Sequence, residues 1–135
     1  MVSTFSVSTR SRTELIDITS QVVDKIPSSR VKSGMCFVYV PHTTAGITIN
    51  ENADPTVRSD ILMELDKRIP FEDGYQHTEG NSAAHIKASL MGCCVGIPLE
   101  KGQLILGTWQ GIYLCEFDGP RTRRVHVKIV TDASS

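Results

Sequence analysis

The sequence lacks both the cysteine density of a secreted disulfide scaffold and the long apolar run of a membrane helix. Its four cysteines include no CxxC pair and lie in or beside apolar runs, as Cys36, Cys93, Cys94 and Cys115. This pattern favours reduced, mostly buried thiols over disulfides. The longest uncharged stretch, residues 33–50, is shorter than the ~20 apolar residues of a spanning helix. With no signal-peptide pattern in the first residues, we expect a cytoplasmic protein without a membrane segment.

An excess of charge of one sign is also missing. Fourteen Lys and Arg residues oppose 15 Asp and Glu residues, so the formal net charge is −1. A sequence-independent grip on a nucleic-acid backbone needs an excess of basic residues, and we therefore expect no nucleic-acid partner. With 135 residues, 40% of them apolar, the chain is long enough for one conventional core. We predict a single domain over residues 1–135.

The hydrophobic pattern predicts a β-rich chain with three inserted helices. Thr19 is positioned to cap a short first helix, and Asp54-Pro55 starts a second helix that ends before Pro70. In the second helix, Val57, Ile61 and Leu65 form one predicted buried stripe. The third helix covers residues 82–91, before Gly92. Apolar runs predict strands near residues 5–7, 15–18, 35–40, 47–49, 104–106, 112–117 and 125–129. This order favours an α+β fold on a largely antiparallel sheet over a βαβ repeat.

Three of the four histidines fall in or beside predicted loops. His42 follows a strand, and His77 and His85 flank residues 79–81 at the start of the third helix. Neutral imidazole is a good zinc ligand, and catalytic zinc commonly has three protein ligands and one open position. The His77 to His85 spacing matches no recognised zinc motif, so histidines satisfied by local hydrogen bonds are an equal alternative. His126, on the polar face of a predicted strand, is expected to be solvated or at an interface.

Polar side chains near these histidines suit a small charged ligand. Glu51, between a strand and a helix, can serve as a general base, a metal ligand or an acceptor for a substrate, or remain a solvated loop residue. The hydroxyls of Thr43 and Thr44, the backbone N–H groups near Ser82, and the cations Lys87 and Arg121 can bind an anion, although each cation alone is more often solvated. No GxxxxGK[ST], GxGxxG or GxSxG motif occurs, so standard nucleotide cradles and nucleophile elbows are unsupported.

The single tryptophan, Trp109, lies between Gly107 and Gly111 and beside the Gln110 amide. A lone Trp is more often a packing residue, and stacking on a flat heterocycle is the functional alternative.

Several separated motifs occur together in one order along the chain. They are His42-Thr43-Thr44-Ala45-Gly46, Asn50-Glu51-Asn52, Asp54-Pro55, His77, Glu79-Gly80-Asn81, His85, Lys87, Gly107-Thr108-Trp109-Gln110 and Asp118-Gly119-Pro120-Arg121. The chain strongly resembles the YjbQ family of small proteins over nearly its whole length. The resemblance implies a compact α+β domain that assembles as a homotrimer, with a pocket for a metal ion and an anion. It also implies a secondary thiamine-phosphate synthase activity, in which a pyrimidine diphosphate is joined to a thiazole phosphate and pyrophosphate is released.

Carried over by the resemblance, His42, His77 and His85 are the expected metal ligands, with zinc as the favoured divalent ion and magnesium as the alternative. Glu51 and Glu79 are the expected catalytic carboxylates. The expected substrate-binding residues are Thr43, Thr44, Asn52, Asn81, Lys87, Trp109, Gln110 and Arg121. The predicted function is a metal-dependent enzyme that acts on a phosphorylated small molecule. The alternatives are a metal-dependent hydrolase, with Glu51 or Glu79 handling the proton, and a non-catalytic trimer that binds a metabolite or metal.

Overall fold

A computed structural model describes residues 1–133 of the chain. The elements follow in the order β1 (Val2–Ser8), β2 (Glu14–Asp17), α1 (Thr19–Val23), β3 (Gly34–Tyr39), β4 (Ala45–Glu51), α2 (Pro55–Arg68), α3 (Ser82–Met91), β5 (Cys94–Glu100), β6 (Gln103–Leu104), β7 (Gln110–Glu116) and β8 (Thr122–Thr131). Among these residues, no helix has the length and apolar character that a membrane crossing needs. The predicted α+β fold with three helices is confirmed.

The strands form two antiparallel sheets. The larger sheet has the order β1-β8-β3-β5-β6, and the smaller has the order β2-β7-β4. In the larger sheet, β8 pairs with both β1 and β3. In the smaller sheet, the central β7 pairs with β2 and with β4, where Ala45 faces Glu116 and Glu51 faces Gln110. This register therefore places Ala45 and Glu51 at opposite ends of the smaller sheet.

The molecule has three layers, with the smaller sheet in the middle. One core fills the space between the sheets, and a second core joins the other face of the smaller sheet to α2 and α3. Burying each aliphatic side chain of these cores stabilises the fold by about 1.5–3 kcal/mol. The first core includes Val38, Val125 and Val127 of the larger sheet and Ile47, Ile112 and Leu114 of the smaller sheet. The second includes Tyr113, Phe117, Ala84 and Ala88.

Helix α2 begins where the sequence predicts, but it is less buried than expected. The Asp54 side chain accepts from the Thr56 N–H at 2.9 Å, and the helix ends at Arg68, before Pro70. The predicted stripe of Val57, Ile61 and Leu65 is only half-buried, and no residue of α2 is fully buried. Ile61, Leu62 and Leu65 are half-buried against the second core, because α2 covers the smaller sheet from outside and leaves its other side in solvent.

The sequence pattern misses one strand and assigns one helix cap to the wrong residue. The sequence shows no strand over residues 94–100 because Gly96 and Pro98 interrupt it, yet β5 pairs with β3 throughout. Thr19 is the first residue of α1, whose cap position is Ile18. The Thr19 hydroxyl instead donates to Asp17.

The cysteines are free, as predicted, but only two are buried. Cys36 and Cys115 are buried, whereas Cys93 and Cys94 are exposed. Burial raises the pKa of Cys36 to about 11 and that of Cys115 to about 12, so both remain protonated near neutral pH.

Candidate functional site

Helix α3 lies against the start of β4 because Gly46 leaves room for it. A Cβ at Gly46 would come within 2.8 Å of the Gly92 carbonyl oxygen, and the Ile47 N–H donates to that same oxygen at 3.0 Å. This close approach places the His85 ring of α3 beside the loop between β3 and β4. His42, Thr43 and His85 line one cavity of about 500 Å³.

The loop that carries His42 is held by a buried ion pair. Arg123 and Glu116 form this pair at 2% and 0% exposure, with Arg123 Nε donating to Glu116 Oε1 at 2.8 Å. Arg123 Nη2 also donates to Thr44 Oγ1 at 2.8 Å and to the Thr44 carbonyl at 3.2 Å. Glu116 accepts from the Thr9 hydroxyl at 2.8 Å and from the Asp118 N–H at 3.0 Å. The network fixes Thr44 and thereby the loop that precedes β4.

The hydrogen bonding of His42 defines its tautomer. The Arg124 backbone N–H donates to His42 Nε2 at 2.9 Å. Burial lowers the pKa of His42, and the neighbouring Arg123 charge lowers it further. The ring is therefore neutral, with its proton on Nδ1. In this arrangement His42 presents a hydrogen-bond donor, and its Nε2 lone pair is used within the protein.

His77 and His85 form a pair beside this cavity. Their ring centroids are 5.6 Å apart in an edge-to-face arrangement, and both rings line a second cavity of about 540 Å³. His77 Nε2 is 4.0 Å from Glu79 Oε2, with these side chains 42% and 72% exposed. His85 lines both cavities, so it joins the pair to His42. We refer to His42, His77 and His85 as the histidine cluster.

The cluster offers two imidazoles and a nearby carboxylate to a metal ion. Within residues 1–133, no three His, Cys, Asp or Glu side chains are grouped closely enough to hold a metal. The donors of His77, His85 and Glu79 are of the kinds that zinc prefers. His77 and Glu79 are exposed and His85 is half-buried. As placed, His77, His85 and Glu79 therefore lie near one another without forming a metal site, and the Nε2 atom of His42 is already used by the Arg124 N–H.

Asn81 and Arg121 both hydrogen-bond to Asp118, and Asn81 lies at the start of the helix that carries His85. Asn81, at the N-cap of α3, donates from Nδ2 to Asp118 Oδ2 at 2.9 Å. Its Oδ1 atom is buried and has no hydrogen-bond partner in the described part of the chain. Arg121 donates from Nη2 to Asp118 Oδ2 at 3.2 Å and is half exposed. The group therefore holds a buried acceptor without a partner among the described residues and a half-exposed cation.

Two predicted anion-binding residues have structural contacts instead. Thr44 is buried, and both its oxygens accept from Arg123. Lys87 is 1% exposed, pairs with Asp66 and lies 4.5 Å from the centre of the Phe71 ring. The expectation that Lys87 is most often a solvated charge is therefore wrong, because its amine finds a carboxylate and an aromatic face inside the protein.

The remaining predicted residues gather at the opposite end of β4. The Asn52 N–H donates to the Trp109 carbonyl at 2.8 Å, and Asn52 Nδ2 donates to the Gln110 carbonyl at 3.2 Å. The Glu51 carbonyl accepts from the Tyr113 hydroxyl at 2.9 Å. Trp109 is 63% exposed, so it is not a core packing residue. We refer to residues 107–110, with Glu51 and Asn52 beside them, as the tryptophan turn.

Sequence reasoning missed Glu116 and Arg123, although a signal was present. Glu116 interrupts the apolar run of residues 112–117, and Arg123 alternates with Val125 and Val127 on the inward face of β8. A charged residue at a buried position needs a partner of opposite charge, so the two positions could have been paired. His126, by contrast, is half-buried on the outer face, where its Nδ1 contacts the Thr4 hydroxyl at 2.8 Å.

Proteins similar in sequence cover almost the whole chain. A family model described as UPF0047 protein YjbQ-like matches residues 3–132. A UPF0047 protein of Methanocaldococcus jannaschii is 52% identical over 132 residues, which cover 98% of this chain and 96% of that protein. The UPF0047 protein YugU of Bacillus subtilis is 50% identical over 131 residues, which cover 96% and 99%.

Solved structures agree with this similarity. A protein of the YjbQ/UPF0047 family from Clostridium acetobutylicum has 57% identity and a TM-score of 0.92, over 95% of this chain and 99% of that chain. A YbjQ-like protein of unknown function from Sulfolobus solfataricus has 35% identity and a TM-score of 0.92, over 98% and 97%. The predicted resemblance is confirmed, and the chain belongs to the YjbQ/UPF0047 family.

Proposed function

We propose that the histidine cluster binds a divalent metal ion together with the phosphoryl group of a small molecule, and that the protein is a metal-dependent enzyme. The observation that carries this proposal is the meeting of His77 and His85 at 5.6 Å, with His85 and a neutral His42 lining one cavity. The two imidazoles that would bind the metal thus lie beside His42, whose N–H would donate a hydrogen bond to the anion.

His77 and His85 would hold the metal, with Glu79 as the nearest carboxylate. Imidazole ligands favour zinc, whereas magnesium prefers oxygen ligands, so zinc is the ion we expect and magnesium is the alternative. A bound divalent ion acts as a Lewis acid that polarises a phosphoryl oxygen.

The phosphoryl group would be bound by two donors that line the cavity and by one nearby cation. His42 donates from Nδ1, the exposed Thr43 hydroxyl lines the same cavity, and Arg121 supplies charge. Neutral His42 keeps this donor at neutral pH without a positive charge that would repel the metal.

A group transfer that releases pyrophosphate is the reaction class we favour, with thiamine-phosphate synthesis at least as a side activity. The family resemblance supports this reaction, and a homotrimer is the assembly that we propose with it. A metal-dependent hydrolase is the second candidate. The exposed Glu79 carboxylate, 4.0 Å from His77 Nε2, favours it because that group can accept a proton from an activated water.

Calorimetric titration with Zn²⁺ tests the metal site. We expect near-stoichiometric binding to the wild type and loss of binding in His77→Ala and His85→Ala. His126→Ala is the matched control, since it removes a histidine from the outer face of the larger sheet. Equal binding by all four proteins, or none by the wild type, would refute the proposed metal site.

Assays of released pyrophosphate and phosphate separate the two reactions. A pyrimidine diphosphate with a thiazole phosphate should release pyrophosphate if the protein is a transferase. Release of inorganic phosphate from simple phosphoesters, lost in Glu79→Gln, would favour the hydrolase. Tight binding without either product would favour a non-catalytic protein.

A further inference from the structure

A cavity of about 510 Å³ opens at the edge of the first core. Its floor is the inner face of the larger sheet, where Val127 is 2% exposed and Ile129 is half-buried. Pro27 and Val31, from the connection between α1 and β3, form another wall. This lining has no described residue in common with the two cavities around the histidine cluster. The cavity is therefore a separate place for a ligand.

The connection between α1 and β3 is held in a hydrogen-bonded turn beside this cavity. The Pro27 carbonyl accepts from the Arg30 N–H at 2.8 Å and from the Val31 N–H at 3.0 Å. Val31 is 7% exposed, so burial of its side chain anchors the turn as well. The Lys32 carbonyl accepts from the Gly102 N–H at 2.9 Å, which ties the connection to the turn between β5 and β6. The wall of the cavity is therefore formed before any ligand binds.

Two cations line the cavity without a compensating carboxylate. Lys25 is half-buried and Arg30 is exposed. Within residues 1–133, the side chain of neither forms an ion pair or a hydrogen bond. Asp24 is exposed next to Lys25 in the chain, and Asp132 accepts from the Ser33 hydroxyl at 2.8 Å. Neither carboxylate lines the cavity, so the lining has positive side chains and no negative one.

Apolar walls beside two unpaired cations suit an amphipathic anion. Charges of one sign in a cleft with low-dielectric walls concentrate the field that attracts a counter-ion. A guanidinium binds a carboxylate through two parallel N–H groups, and an ammonium adds a point charge. Valine and isoleucine side chains gain instead from contact with an aliphatic chain. The volume is also in the usual range for a small-molecule site.

We propose that this cavity binds a small amphipathic carboxylate, with its aliphatic chain against Val127 and Ile129 and its carboxylate between Lys25 and Arg30. The site is separate from the proposed metal site and does not depend on the proposed function. A short anion would leave the apolar floor in water, whereas an alcohol would leave the cations unpaired. Both parts of the ligand are therefore needed for tight binding.

Octanoate is the probe for this site, and acetate and 1-octanol represent the two parts of its chemistry. Binding to the full chain at neutral pH is followed through amide shifts in ¹H–¹⁵N NMR spectra. We expect saturable shifts at Val31, Val127 and Ile129 with octanoate, and weaker binding of both acetate and 1-octanol. Octanoate that does not bind, or binds no more tightly than 1-octanol, overturns the proposal. So do shifts confined to residues 101–104 and 106, which line a different cavity.

Methionine variants test the two cations, because methionine keeps an unbranched apolar stem. Lys25→Met should raise the octanoate Kd about tenfold, since a half-buried amine makes a strong hydrogen bond to a carboxylate. Arg30→Met should raise it about threefold, since the guanidinium is exposed. The double variant should bind octanoate only as tightly as 1-octanol. An octanoate Kd that is unchanged in both single variants overturns the proposal.

Two controls accompany these variants. Lys128→Met removes a cation from the outer face of β8, and Lys101→Met removes one from the different cavity; both should keep the wild-type Kd. An equal rise of Kd in the controls shows a general charge effect and overturns the site. Circular dichroism and urea unfolding check that each variant folds. If Lys25→Met lowers the unfolding midpoint, Lys25→Gln replaces it.

Discussion

Replacing Glu116 by Gln tests the buried network behind the His42 loop. The substitution keeps the shape of the side chain and removes its charge. Arg123 then stays buried at 2% exposure without a carboxylate. The new amide also offers N–H donors where the Arg123 guanidinium and the Asp118 N–H already donate. One amide oxygen remains to accept from Thr9 or from Arg123.

The expected loss of stability follows from this arrangement. Removing one member of a buried ion pair costs about 3–5 kcal/mol. Because the amide keeps one acceptor, we expect a loss near the lower bound, about 3 kcal/mol. With a urea dependence of about 1.5 kcal/mol per molar for a chain of this size, the unfolding midpoint should fall by about 2 M.

Urea unfolding at several pH values also tests the origin of the loss. Burial raises the pKa of Glu116, but the hydrogen bonds from Arg123, the Asp118 N–H and Thr9 outweigh it, so the folded pKa lies below the usual 4.5. Stability from this carboxylate is therefore complete above pH 4.5 and is lost as the pH falls through the folded pKa. The gap between wild type and Glu116→Gln should be constant near neutral pH and narrow below pH 4.5.

A double variant provides the control. Glu116→Leu with Arg123→Met removes both charges and should be more stable than Glu116→Gln, since apolar pairs often replace buried ion pairs without loss. A Glu116→Gln protein within about 0.5 kcal/mol of the wild type, which is the range of ordinary surface substitutions, would refute this account of the network.

Three further substitutions and one titration give distinct results. Asp66→Ala should destabilise the protein by about 3 kcal/mol because it leaves the buried Lys87 amine unpaired. Lys87→Met should lower the unfolding free energy by less, because Asp66 is half exposed. Urea unfolding compares the two variants, and equal losses of stability would contradict the argument. Asp54→Ala should cost about 1 kcal/mol by removing the cap of α2, and an unchanged midpoint in thermal unfolding would contradict it. The His42 ring should titrate below pH 6.5 by NMR, and this group should reduce stability as the pH falls below that value; a midpoint above it would contradict the neutral tautomer.

The fold was largely predictable because its elements carry strong local signals. The start of α2 follows from Asp54-Pro55, and alternation identifies β1 and β8. β5 was missed because Gly96 and Pro98 are read as strand breakers, whereas pairing with β3 overrides their local preference. The burial of α2 was overestimated because periodicity shows which side of a helix faces the core and not how completely that side is covered.

The sequence identifies candidate site residues but not how they are arranged. Loop histidines and polar residues identify the histidine cluster, and the structure brings His77 and His85 together. The separation of Trp109 from them could not be foreseen, since it depends on the register of β4 against β7. The role of Arg123 depends on contact with a loop that lies 79 residues earlier in the chain, and single-residue patterns do not contain that information.

The His42 loop joins the two sheets of the molecule, and this has a practical consequence. Arg123 and Arg124 belong to the larger sheet, while Thr44 leads into the smaller one, so the loop is intact only when the sheets are packed together. Opening the loop breaks contacts with both sheets, and a ligand bound there stabilises the folded domain. At a concentration 100 times its dissociation constant, that ligand would add about 2.7 kcal/mol to the unfolding free energy. Thermal-shift screening of metals and phosphorylated compounds is therefore a direct route to the natural ligand, whatever the reaction.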